Sequence, residues 1–161
     1  VAARLFSEID MMRNLNFFRV RISLIAVVAA LWCGNVPSAV AQISIVAAKS
    51  AKLDSNSVNK AEVKAIYTGN RLKWSDGSKI HVVDQADTEV GKKFYANVIG
   101  KSVNEARKQW TKLLLSGQAS APFKCASDKA VKKVVASNPK AIGYISTRAL
   151  DETVKEILRI E

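Results

Sequence analysis

His81 is the one histidine in 161 residues, the only imidazole that could relay a proton near neutral pH. It lies in the alternating stretch 79–83 (KIHVV), where its side chain shares a face with Val83. A nucleophile–base pair built on it is one reading, and a structural imidazole satisfied within a strand is the reading its apolar setting favours. Cys33 and Cys125 are the only cysteines, too few for a disulfide framework, and with a single histidine they leave no multi-ligand metal site. Trp74 and Trp110 have the flat faces that stack on sugars or bases. One follows a turn and the other falls on an apolar helix face, so core packing is the expectation. No phosphate loop, dinucleotide-binding glycine fingerprint or nucleophile elbow is present. The chemistry inventory points away from an enzyme and calls for no cofactor and no metal.

The chain carries a net charge of +11, which favours anionic partners in general. Only four of the 21 bases from Gln42 onward are arginine, namely Arg71, Arg107, Arg148 and Arg159. Lysine is a hydrated point charge without the bidentate fork that reads bases. The lysines are also dispersed, with Lys92-Lys93 and Lys132-Lys133 the only adjacent pairs in that region. A solvated basic surface is the expectation, and no nucleic-acid partner.

Residues 11–41 have the layout of an export signal: basic Arg13, Arg19 and Arg21, an apolar stretch, then a small-residue region ending in Ala39-Val40-Ala41. Cleavage is expected after Ala41, giving a periplasmic protein with no stable membrane span. Residues 1–10, with Glu8 and Asp10, read as an upstream mistranslated extension, and residues 42–161 as the working domain. Cys125 then stands alone, with the character of a small buried hydrophobe.

Within that domain, residues 43–48 (ISIVAA) form a β-branched apolar run of strand length. Asn59 to Glu62 has capping-box spacing ahead of a helix stopped by Gly69. Ser75-Asp76-Gly77 is a turn signal before the strand 79–83. Thr88 is the expected N-cap of a helix to about Val98, stopped by Gly100. Ser102 and Glu105 form a second capping box, opening a helix whose apolar face carries Ala106, Trp110, Leu113 and Leu114. A loop over 117–122, a helix over 127–138, and strands at 141–146 and 154–160 complete the pattern. Alternation of strand and helix implies an α/β fold with a small mixed or mostly parallel sheet flanked by helices.

Taken in order, residues 60–69 (KAEVKAIYTG), Trp74-Ser75-Asp76-Gly77, residues 80–83, Phe94-Tyr95, Trp110, Gly117 and residues 141–145 (AIGYI) resemble the periplasmic phosphate-binding proteins of ABC transporters. The resemblance is to one lobe of their two-lobed, type II fold. It implies an exported solute-binding role related to phosphate transport. The implied partners are inorganic phosphate or another small solute, and the transporter's membrane components or another envelope protein. In that family an arginine near a strand end and a Ser-Gly-Thr at the next helix N-terminus hold the anion. Aligned on Phe94, the Ser-Gly-Thr positions fall on Thr88, Glu89 and Val90, and the arginine position on Asp84. Thr88, Val90 and Gly91 remain as hydroxyl or backbone donors. Asp84 exchanges attraction for repulsion, and one close unit-charge pair at an effective dielectric of about 20 is worth roughly 4 kcal/mol before discount for solvent. With Asp87, Asp84 and Glu89 make a small acidic cluster: a cation or amine pocket is one reading, ordinary helix-start acids the favoured one. The resemblance thus implies a degraded anion site, with an interaction module that has lost its ligand as the alternative.

Overall fold

The computed structural model describes residues 42–53 and 58–161. The expected extension, export signal and cleavage site lie outside the described residues. Strand β1 (Ile43–Ala48) is buried along its whole length, as expected for an apolar run covered on both faces. Helix α1 (Lys60–Tyr67) starts at the Asn59/Glu62 capping box, with both reciprocal bonds formed. Strand β2 (His81–Asp84) follows, then helix α2 (Glu89–Phe94), N-capped by Thr88. Helix α3 (Val103–Leu115) opens on the Ser102/Glu105 capping box. Strand β3 (Phe123–Lys124), helix α4 (Asp128–Ala136), strand β4 (Ala141–Ser146) and strand β5 (Val154–Ile160) complete the order.

The five strands make one mixed sheet in the order β3-β2-β4-β1-β5. Strand β2 runs parallel to β3 and β4, while β1 runs antiparallel to β4 and β5. Alternation along the strands sends side chains into two cores. Ile45, Ile142, Tyr144 and Ile157 join Val63, Ile66, Tyr67, Phe94, Val98 and Trp110 from α1, the α2 region and α3. On the other face Val46, Val83, Ala141 and Ile145 pack with Val131 and Val135 of α4. Gly143 permits that second contact: a Cβ there would lie 2.7 Å from Val131 Cγ1.

Several local expectations need correction. The helix begun at Thr88 does not stay α-helical to Val98; it widens into a π turn over Tyr95–Ile99 before Gly100 ends it at φ +68°. The wider turn turns both Phe94 and Tyr95 inward. The strand expected at 79–83 begins at His81, with Lys73 and Lys79 joined instead in an isolated antiparallel bridge. His81 is exposed rather than a satisfied core imidazole, and Leu114 is exposed on α3. Cys125 is half-buried. Neither residue of the two-residue strand β3 is buried, so it carries no hydrophobic periodicity in the sequence. Trp74 and Trp110 are core residues, donating their indole N–H to Lys140 O (3.1 Å) and Tyr67 O (2.9 Å).

Each capping box closes orphan amides at a helix start, so Asn59→Ala and Ser102→Ala are each expected to lower unfolding free energy by about 1 kcal/mol in urea denaturation. An unchanged midpoint in both variants would show that tertiary packing alone fixes these helix starts.

Candidate functional site

The parallel pair β2–β4 ends where two helices begin. Val82 pairs with Ile142, and carrying that register two residues further sets Asp84 beside Tyr144 on the same face of the sheet. Helix α2 starts at Thr88 and α4 at Ser127, both just beyond this strand end. In open α/β sheets the carboxyl ends of parallel strands are where ligands sit, and helix N-termini favour negative charge there.

In this chain the negative charge is its own. Tyr144 donates its phenol O–H to Asp84 Oδ1 at 2.7 Å, and Tyr95, brought inward by the π turn, donates to Oδ2 at a looser 3.2 Å. The Tyr144 oxygen also accepts the Gln85 amide at 3.2 Å. Withdrawal from water pushes the Asp84 carboxyl above its ordinary value. The two phenol bonds and the charge of Arg107 pull it back without cancelling that rise. The same burial, reinforced by the Asp84 charge, pushes both tyrosine hydroxyls well up, so they act as proton donors and stay neutral.

Gln85 ties the strand end to α4. Its fully buried side chain donates to Asp128 Oδ1 (2.7 Å) and to Tyr144 O (2.8 Å), and Asp128 Oδ2 accepts the Ser146 amide at 3.3 Å. Asp128 is also the first-turn acid of α4. The aromatic rings below are locked: Phe94 stacks on Tyr144 with centroids 3.9 Å apart, and Tyr67 meets both edge-on.

Of the residues singled out in the sequence, Thr88 and Gly91 come together, Asp84 bonds Tyr144 and Tyr95 instead, and Glu89 and Val90 join neither group. Thr88 Oγ1 donates to Gln85 O at 2.8 Å and accepts the Gly91 amide at 3.0 Å. The hydroxyl and that amide, expected as donors for an anion, are therefore engaged within the turn. Gly91 is required for close approach: a Cβ would lie 2.1 Å from Gln85 O and 2.6 Å from Ala86 Cα. Val90 is half-buried against the core. Glu89 points outward and pairs with Lys92 at 2.6 Å. Asp87 is paired with Arg107 of α3, so the acidic cluster is split between separate partners. Among the described residues, no group of carboxylates, histidine and cysteine is arranged to hold a metal ion. The residues that sequence reading passed over as site members are Tyr95, Tyr144, Gln85 and Asp128. Sequence alternation puts Tyr144 on the same face as Ile142, and only the parallel pairing of its strand with β2 brings it to Asp84.

Solved structures share this architecture. A phosphate ABC transporter substrate-binding protein with bound phosphate, from Clostridium perfringens, superposes with a TM-score of 0.55 at 22% identity, over 72% of this chain and 44% of that one. PstS from Borrelia burgdorferi does so with a TM-score of 0.50 at 17% identity, over 66% and 42%. An ABC-type phosphate transport receptor from Vibrio cholerae gives 0.49 at 19% identity, over 72% and 46%. The chain thus spans less than half the length of each of these structures. No family model and no curated protein matches the sequence.

Two outcomes follow from this geometry. Gly91→Ala forces a methyl into backbone atoms, and a loss of about 1 to 3 kcal/mol is expected in chemical denaturation; a neutral result would contradict the tight turn. For Asp84, the folded state holds the proton more tightly than the unfolded chain. Its cost is absent below the ordinary value of 3.8 and grows as pH rises through the higher folded value. Wild type is therefore expected to lose stability relative to Asp84→Asn as pH rises from about 3 to 7 in parallel urea titrations. A difference that moves the other way would mean that the carboxylate is stabilised as an anion.

Proposed function

We propose that the chain is a non-enzymatic, phosphate-transport-related binding domain, exported to the periplasm, whose anion position is filled by its own carboxylate. The observation that carries this is Asp84, at the end of a parallel strand and beside a helix start, taking both phenol donors of Tyr144 and Tyr95. The shared fold supports this reading, because one structure that has it is described as a phosphate ABC transporter substrate-binding protein with bound phosphate. Thr88, Glu89, Val90 and Gly91 are the positional counterparts of an anion loop that here caps itself. An incoming oxyanion would have to displace bonds already made and meet like charge from Asp84.

Isothermal titration of the full chain with inorganic phosphate is expected to give no saturable heat in the micromolar range. Thr88→Ala should leave that result unchanged. Micromolar binding that Thr88→Ala weakens would overturn the filled-site reading and restore an ordinary phosphate receptor.

A second reading, an interaction module for a transporter component or another envelope protein, is favoured by exposed apolar side chains. Leu115 is 84% and Phe123 50% exposed, at the end of α3 and on the edge strand β3. Cross-linking from these two positions in cells distinguishes it: a discrete partner adduct lost in Leu115→Ser and Phe123→Ser supports it, and no adduct removes it.

A further inference from the structure

Helix α3 gives only one face to the core. Ala106 and Trp110 are buried there, and Val103 and Leu113 are partly buried on the same side. On the far side Lys108, Thr111, Lys112 and Leu115 are all exposed. Their spacing is i, i+3, i+4 and i+7, which the helical period gathers into a single stripe.

The chemistry of that stripe changes along the helix. From Ala106 to Ser127 the sequence carries four bases and no acid. Arg107 is held by Asp87, but Lys108 and Lys112 have no carboxylate partner among the described residues. One turn apart, these two like charges repel each other. The last turn is apolar instead: Leu115 is 84% and Leu114 41% exposed. Residues 116–121 (SGQASA), which follow, are small or polar and uncharged. The exposed stripe of α3 therefore joins a cationic half to an apolar end.

We infer that this stripe is a docking face for an anionic phospholipid bilayer, with Lys108 and Lys112 at the headgroup phosphates and Leu115, beside Leu114, at the acyl boundary. Charge complementarity sets the class of partner. A polyanion in solution would engage the lysines and leave Leu115 in water, and an uncharged bilayer would leave the lysines unmatched; an anionic bilayer satisfies both halves at once. The attachment is weak and reversible, since two leucines present less apolar surface than one acyl chain, which by itself anchors only marginally. The face is independent of the Asp84 end and stands or falls separately from it. It assigns Leu115 a different occupant from the protein-partner reading.

The test is NMR of the full chain with bicelles carrying a lipid-bound spin label, made of phosphatidylcholine alone or with added phosphatidylglycerol. With the anionic lipid, saturable broadening is expected at the Leu114 and Leu115 methyls and the Lys108 and Lys112 amides, weakening as salt is raised. Phe123 is the internal control. It pairs with Val83, whose side chain enters the core under α4, so it projects from the other side of the sheet and should broaden less. Lys108→Gln/Lys112→Gln should weaken binding by about five- to thirtyfold, and Leu115→Ser by at least about threefold. The signal is read residue by residue on α3, so attachment through another part of the chain does not imitate it. No broadening on α3 with anionic lipid would overturn the proposal and leave Leu115 to a protein partner. Equal broadening with phosphatidylcholine alone, Phe123 broadened as strongly as Leu115, or a double variant that binds as wild type does would each overturn it too. The lipid comparison needs no variant, so it decides the matter even if a variant folds poorly.

Discussion

The structure turns on a carboxylate placed at the end of a parallel strand. Asp84 sits where β2 stops, beside a helix start that favours negative charge, and its two oxygens take phenol hydrogens from β4 and from the turn after α2. Much of the surrounding geometry serves that arrangement. The π turn carries Tyr95 inward, the parallel register brings Tyr144 alongside, and Gln85 fastens the strand end to Asp128 and α4. The result is a closed polar network in which neutral phenols stabilise a carboxylate whose burial is unfavourable.

Closure of that kind bears on what the scaffold can bind. A helix start is useful to an anion only while its amides and hydroxyls are free. At Thr88 the hydroxyl faces back into its own turn, and Gly91 gives its amide to that hydroxyl. At α4, Asp128 engages Gln85 and the Ser146 amide. Two nearby bases are paired as well: Arg107 with Asp87 and Lys92 with Glu89. A fold shared with solved substrate-binding proteins therefore coexists with a strand end whose donors are turned inward.

Much of this was legible in the sequence because it rests on short-range rules. Both capping boxes and the Thr88 cap follow from local spacing, and the buried strands β1 and β4 follow from continuous apolar runs. Thr88 and Gly91 could be placed together because both belong to one helix start. Tyr144 could not be seen as a partner from spacing alone, since it meets Asp84 across 60 residues through strand pairing. The π turn was hidden because its cause is tertiary, the need to bury Phe94 and Tyr95 together. His81 misled for the complementary reason: alternation assigns a face, but the strand starts at that residue and leaves it at the edge of a cleft.

The most direct test of the central claim is an NMR titration of the full chain with inorganic phosphate, observing the Asp84 carboxyl carbon, the Tyr95 and Tyr144 rings and the Gly91 amide. The account expects these resonances to stay in place through millimolar phosphate. Saturating shifts at all four, with Asp84 giving up its phenol partners, would contradict it.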